Sequence, residues 1–293
     1  MVVTIVVNYL LENFWRQLAL ALIIWFLIRQ YFGVLVLYVG RKLLSTLDHA
    51  SWVKPVEKDV VYLYQFHRTS TTPNPSPFCI KVEAFLRYHK IKYQNVFTQF
   101  QRSREGLLPY IVLNGEEIPD SQLILQRLQE IHEIEPNLSP HEKAIARAVD
   151  RTVDNSLANA IFYYKVIYNK DSLFKVLSSL MPYLLAKLSF DRIYELTHHR
   201  LSAINFLKLP EPAIRSGLED DLDALQQLMG EKPFLFGEEP VDADFALLGQ
   251  LTSIYFTPYN KPIEGMLDEK YPILKNFLTR FLSDLFPEYR LFY

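Results

Sequence analysis

Three short segments hold the residues whose types and spacing could do chemistry. In Pro75-Ser76-Pro77-Phe78-Cys79 a hydroxyl stands three residues before the single cysteine of the chain, at the head of an amphipathic run. Serine followed by proline suits a helix start, where the Ser76 side chain would accept the Cys79 N–H. That hydroxyl keeps a proton to donate, and a helix N-terminus favours negative charge. Ser76 is therefore placed to stabilise an anion such as a thiolate. Cys79 falls one turn inside the helix on its apolar face, where a buried, inert thiol is expected. Asp120-Ser121 caps a second helix, and an N-cap also serves as an anion site. Pro109, in Leu107-Leu108-Pro109-Tyr110, is either a turn proline or a cis-proline.

Metal chemistry finds no support in the same sequence. One cysteine makes neither an internal disulfide nor a tetrahedral thiolate site. His198 and His199 are adjacent on a predicted helix and point in different directions. His67, His89 and His132 have no ligand-like spacing. No metal site is expected.

The elements that must position these residues follow from periodicity. Val60–Phe66, rich in β-branched and aromatic residues, predicts a buried strand. After the loop TSTTPNPSP, Cys79, Val82 and Leu86, with Phe78 and Phe85, share one helical face. Tyr93–Phe97 and Tyr110–Asn114 predict further strands, and Asn114-Gly115 turns into a short fourth near Glu117–Ile118. Ser121 opens a helix through Ile131, so the order is β-α-β followed by β-β-α. From Ser139 onward there is no strand signal. Helical runs are expected at about 140–168, 172–188, 191–207, 212–229, 243–256 and 271–286, punctuated by prolines. The acidic run Glu219-Asp220-Asp221 with Asp223 marks a solvated helix face.

The chain has 293 residues, 49% of them hydrophobic, with Lys+Arg 31 against Asp+Glu 33. A net charge of −2 excludes a phosphate-binding, nucleic-acid surface, and the apolar share excludes a disordered protein. The apolar residues are concentrated at the start: LALALIIWFLI (18–28), then Arg29-Gln30, then YFGVLVLYVG to Gly40. Insertion of this stretch in a bilayer gains about 6 kcal/mol against about 3 for Arg29, so an N-terminal transmembrane helix is expected. It ranks ahead of a cleaved signal peptide, which lacks a basic start and an A-x-A site, and of an in-plane helix, which Arg29 alone favours. Arg41, Lys42, Lys54 and Lys58 follow it, with Arg16 alone before it, which puts the folded part in the cytosol. The expected organisation is a membrane anchor at 1–42, a linker at 43–57, an α/β domain at 58–135 and an all-α domain at 136–293.

This pattern resembles the glutathione transferase fold, a thioredoxin-like N-terminal domain followed by a helical one. PSPFC resembles a glutaredoxin or omega-transferase C-P-F/Y-C sequence with Ser76 in place of the first cysteine. LLPY is similar to the cis-proline segment of thioredoxin-like folds. Asp120-Ser121 stands where transferases keep an acidic residue and a serine for the γ-glutamyl end of glutathione. The runs PNPSPFCIKVEAFLRYHKIKY, LPYIVLNGEEIPDS and KPFLFGEEPVDADFALLGQL resemble the branch of the failed-axon-connections proteins, the metaxins and the nematode cadmium-responsive proteins.

The resemblance implies a membrane-anchored protein that binds glutathione through Leu108, Pro109, Asp120 and Ser121, with Ser76 as the catalytic group at the sulfur. Conjugation of a small electrophile, in detoxification or a stress response such as that to cadmium, is the activity implied. The alternative is a non-catalytic module for protein contacts at a membrane, as in metaxin-like proteins, and the resemblance also brings protein partners or a homodimer and an endomembrane or lysosomal location. With serine at the first motif position, dithiol–disulfide exchange is not expected. The sequence departs from the transferases late in the chain. Val241 stands where a hydroxyl usually opens a helix three residues before Asp244, so that cap is expected to be missing or shifted to Asp242.

Overall fold

The computed structural model describes residues 15–18, 20, 25, 57–69, 71–98, 101–180, 183–256 and 265–289. Residues 55–98 and 102–293 form one unit, and 1–54 with 99–101 form another. The larger unit begins with strand β1 (Val61–Gln65), buried along its whole length, and helix α1 (Pro77–Tyr88). Strands β2 (Tyr93–Phe97), β3 (Tyr110–Leu113) and β4 (Glu116–Pro119) follow, and then helix α2 (Ser121–His132).

The sheet order is β2-β1-β3-β4. β1 pairs parallel with β2, Leu63 opposite Asn95, and antiparallel with β3, Leu63 opposite Ile111. α1 is the crossover that a parallel pair requires. Asn114 and Gly115 both have positive φ, 51° and 85°, the conformation of a tight hairpin between β3 and β4. The expected β-α-β and β-β-α order is therefore the observed one.

The helical half starts at α3 (Pro140–Arg151), where Ser139 and Glu142 form a reciprocal capping box. The chain stays helical to Tyr168 through a π-helical turn at Thr152–Leu157, α4 (Ala158–Phe162) and a second π-helical turn at Tyr163–Tyr168. α5 (Lys170–Leu180) and α6 (Tyr183–Ala203) replace the expected runs 172–188 and 191–207. The periodicity runs through Ser189-Phe190, which holds no breaker, so the boundary falls near Pro182 instead. α7 (Glu211–Met229), α8 (Asp242–Tyr255), the short α9 (Met266–Lys270) and α10 (Pro272–Leu285) complete it.

The fold class needs one correction. Among the described residues no helix is long and apolar enough to cross a membrane, so the transmembrane element is removed from the fold, and membrane association through it is not supported. α6 has 21 residues but carries Lys187, Asp191, Arg192, Glu195 and Arg200. α8 is apolar but has 14 residues, short of the ~20 that a bilayer core requires. The stretch 1–42, on which the expectation was placed, lies outside the described residues apart from 15–18, 20 and 25.

One core joins the sheet to the helices. Phe85 of α1 meets Phe245 of α8 edge-on at 5.4 Å, and Phe245 meets Phe281 of α10 at 5.6 Å. The close approach of α8 to α1 depends on Gly249, because a Cβ there would overlap the carbonyl oxygen of Pro77 and lie 3.0 Å from its carbon.

The hydroxyl half of the α8 cap is missing, as expected, but the carboxylate half is in place and has not moved to Asp242. Asp244, fully buried, accepts the Val241 N–H at 2.9 Å and the Leu235 N–H at 2.9 Å. The carboxylate half of a capping box needs no hydroxyl at Val241, while the Asp242 carboxylate is taken by Gln129 Nε2 at 2.7 Å. Burial lifts the Asp244 carboxyl from 3.8 to about 7, against the two N–H bonds that lower it. Its folded pKa is above the unfolded one, so its contribution to stability is full below about pH 3.8 and is lost as pH rises through about 7. Unfolding free energies of wild type and Asp244→Asn across pH 4–8 should differ in slope, by on the order of 3–4 kcal/mol over that range. Parallel profiles would contradict this role.

Candidate functional site

Candidate residues gather at a cleft of about 230 Å³ between the sheet half and the helical half. The loop before β3 supplies Leu107, Leu108 and Pro109, and the N-terminus of α2 supplies Asp120, Ser121 and Gln122. Phe78 enters from the first turn of α1. Four of the expected site residues, Leu108, Pro109, Asp120 and Ser121, therefore line one surface. The Leu108–Pro109 peptide bond is cis, as the resemblance implies.

Asp120 is the N-cap of α2. Its Oδ1 accepts the N–H of Gln122 at 2.8 Å and of Leu123 at 3.3 Å. It does so at φ 68°, ψ 129°, a sparsely populated conformation for a residue with a Cβ. Such outliers gather at ligand sites, and this one sets the carboxylate at the cleft rim beside the first helical residue. Ser121, buried, makes no side-chain hydrogen bond with any described residue. A hydroxyl at a helix N-terminus thus lies beside a carboxylate, which is complementary to an α-amino acid end: carboxylate to the hydroxyl and the helix N-terminus, ammonium to Asp120.

Ser76 is placed by a hydrogen-bond chain that begins in the core. Glu83, fully buried on α1, accepts from Gln65 Nε2 at 2.7 Å and from Arg68 Nη2 at 2.6 Å. Burial pushes its carboxyl up, but Arg68, the Gln65 amide and Arg87 outweigh this and hold it below the usual carboxylate range. Gln65 Oε1 in turn accepts from Asn74 Nδ2 at 3.1 Å, and Asn74 Oδ1 accepts the Ser76 N–H at 3.0 Å. The Ser76 side chain does not cap α1 as expected. Cys79 is fully buried, and burial pushes its thiol up to about 12 although the Ser76 hydroxyl, one turn before it, acts to lower it, the state of an inert thiol. Phe78 of this segment lines the cleft, while Ser76, the N-cap of α1, is not among the lining residues.

The helical wall of the cleft was not foreseen. Arg151, Asp154 and Asn155 reach it from the end of α3 and the first π-helical turn, and Arg200 from α6. π-turns shift the side-chain register of a helix and recur at functional sites. Beneath this wall Lys81, only 1% exposed, donates to Asp154 Oδ2 at 2.8 Å and to Gln122 Oε1 at 2.8 Å, with Asp150 Oδ1 at 3.5 Å. Arg151 Nη2 shares the same acceptors, Gln122 Oε1 at 3.0 Å and Asp154 Oδ2 at 3.2 Å. The network ties the N-terminus of α2 to the helical half. In the sequence Arg151 and Asp154 look like an ordinary i,i+3 surface pair, and Lys81 like a solvated lysine on α1. The available signal was that Lys81 interrupts the apolar face otherwise formed by Ile80, Val82 and Phe85. Lys165, also buried, donates to the Pro75 carbonyl at 2.8 Å and Ser253 Oγ at 3.1 Å, and burial lowers its ammonium to about 8. Among the described residues no group of three or more His, Cys, Asp or Glu could hold a metal ion.

Comparison with known proteins agrees with this geometry. The family model of the glutathione S-transferase N-terminal domain matches residues 77–172, and that of the glutathione S-transferase C-terminal domain matches 218–281. Failed axon connections of Drosophila melanogaster is 31% identical over 250 residues, 80% of this chain and 60% of that protein, so the chain spans about 60% of this relative's length. The isoprene-epoxide–glutathione S-transferase of Rhodococcus sp. (strain AD45) is 24% identical, covering 71% of this chain and 92% of that one. A glutathione transferase family member from Pseudomonas fluorescens pf-5, crystallised with two glutathione bound, superposes with a TM-score of 0.51 at 15% identity. The match covers 80% of this chain and 92% of that one and shows the shared fold. The two domain models together match more than half of the chain, in the order in which its sheet and helical halves occur, and the chain belongs to the glutathione transferase-like superfamily.

Proposed function

We propose that the cleft binds glutathione and presents its thiol to a small electrophile, as a detoxifying transferase does. The observation that carries this reading is the convergence of Leu108, Pro109, Asp120 and Ser121 on one cleft at the N-terminus of α2. The γ-glutamyl carboxylate would take the Ser121 hydroxyl at the positive end of α2, and its ammonium the Asp120 carboxylate. The cysteinyl part would lie along Leu108, with its sulfur toward the N-terminus of α1. There Ser76 would donate to the glutathione thiolate, with the helix end adding its partial positive charge. The relatives named for glutathione chemistry support the ligand class.

Calorimetric titration of the full chain with glutathione tests the reading. Binding in the micromolar to millimolar range is expected, weakened about tenfold in Ser121→Ala for the loss of a hydrogen bond to a charged group. Absence of binding with the fold intact would remove it. Ser76→Ala should lower conjugation of a chloronitrobenzene-type electrophile by about 10²-fold, with glutathione affinity little changed. An unchanged rate would end the role of Ser76.

A second reading, a non-catalytic module for protein contacts, is favoured by one observation. α6 leaves Tyr183, Leu184 and Leu196 more than half exposed, apolar surface of the kind that partners cover.

A further inference from the structure

Arg200 differs from the other cations around the cleft. Lys81 and Arg151 are engaged by Asp150 and Asp154, and Lys165 by Pro75 and Ser253. Arg200 lines the cleft from α6 and makes no hydrogen bond or ion pair with any described residue. Its guanidinium lies over the ring of Phe162, 5.1 Å from the centroid, and Phe162 lies 6.1 Å from the ring of Phe78. A cation–π contact holds the charge in place while leaving the N–H donors unused. The nearest acidic group on this wall, Asp154, already gives Oδ2 to both Lys81 and Arg151.

The cleft therefore presents the Phe78 ring, with Phe162 beside it, next to a positioned positive charge whose N–H donors are unused and on which Asp154 acts only at longer range. Glutathione as placed above accounts for Asp120, Ser121 and Leu108 and leaves this surface open. We propose that Phe78, Phe162 and Arg200 form the subsite of the second substrate, and that this substrate is an apolar, preferably aromatic, molecule carrying a carboxylate. The Arg200 fork would bind the carboxylate while the rings cover the apolar body. No bond is made or broken at Arg200. As a second-substrate site the proposal rests on the glutathione reading, but the binding chemistry of the subsite does not.

The test uses the full chain and two probes of like shape, 1-naphthoate and the uncharged 1-naphthamide, titrated by calorimetry into wild type and Arg200→Gln. Wild type should bind naphthoate about tenfold tighter than naphthamide, and Arg200→Gln should abolish that preference by weakening naphthoate alone. Arg200 has no hydrogen-bond partner among the described residues, so the variant should keep a thermal midpoint close to that of wild type, and glutathione affinity should stay within about twofold. No preference in wild type, or one that survives Arg200→Gln, would overturn the subsite. So would a loss confined to glutathione, which would assign Arg200 to the tripeptide's own carboxylate. Failure of glutathione to bind beside an intact naphthoate preference would overturn the glutathione reading and leave the anion subsite standing.

Discussion

Lys81→Met should lower the unfolding free energy by about 3–5 kcal/mol, the range found when one partner of a buried ion pair is removed. The side chain is 1% exposed and sits between Asp150 and Asp154, whose side chains are 4% and 9% exposed. Without the ammonium, two carboxylates remain in low dielectric with Arg151 and Arg147 beside them and Arg200 at longer range, and Asp154 Oδ1 already has no hydrogen-bond partner among the described residues. The double variant Lys81→Met/Asp154→Asn should recover part of the loss, which a double-mutant cycle in urea measures directly. The site should respond as well. Lys81 and Arg151 hold Gln122, whose N–H is bound by Asp120, so a loosened α2 N-terminus should weaken glutathione binding by more than tenfold. A loss of stability below about 1 kcal/mol would show that the network is not what joins the two halves.

Gly249→Ala should destabilise the protein by at least about 3 kcal/mol, at the upper end of overpacking effects. The added methyl would overlap the Pro77 carbonyl, and backbone cannot turn aside as a long side chain does. Either α8 moves off α1, opening the contact between Phe85 and Phe245, or the first turn of α1 shifts with Ser76 and Phe78 on it. Gly217→Ala is the control. Gly217 lies within α7, where a Cβ meets nothing within 4 Å, so alanine there should stabilise by about 0.5–1 kcal/mol through helix propensity. Thermal and urea denaturation of both variants would show opposite signs. Equal, small shifts would mean that α8 accommodates the methyl.

Much of the fold was legible because it is encoded locally. The β-branched run at Val61, the apolar helical face through Val82 and Leu86, and the Asn114-Gly115 turn each declare their element within a few residues. The cap of α2 at Asp120 was visible for the same reason. Helix ends near Pro182 were less so, since two signals competed and the covalent one, a missing N–H, outweighed periodicity. The membrane-crossing helix was inferred from hydropathy summed over a window, and no described helix has the required combination of length and apolarity. Val241 misled in another way: the hydroxyl half of a capping box was absent, yet the carboxylate half formed from Asp244 alone.

By itself the sequence determined the strands and most helices, their order, the lack of a second cysteine to pair with Cys79 and four of the residues that line the cleft. These depend on neighbours in the chain or on short motifs whose geometry is self-contained. Only the tertiary structure decided that Arg151, Asp154, Asn155 and Arg200 face those four across a cleft, that Lys81 is buried beneath them, and that the Ser76 side chain does not cap its helix. A charged residue on a helix has the same local pattern whether it meets water or another helix. The choice is made by docking α8 on α1 at Gly249, which brings together segments that no local interaction connects.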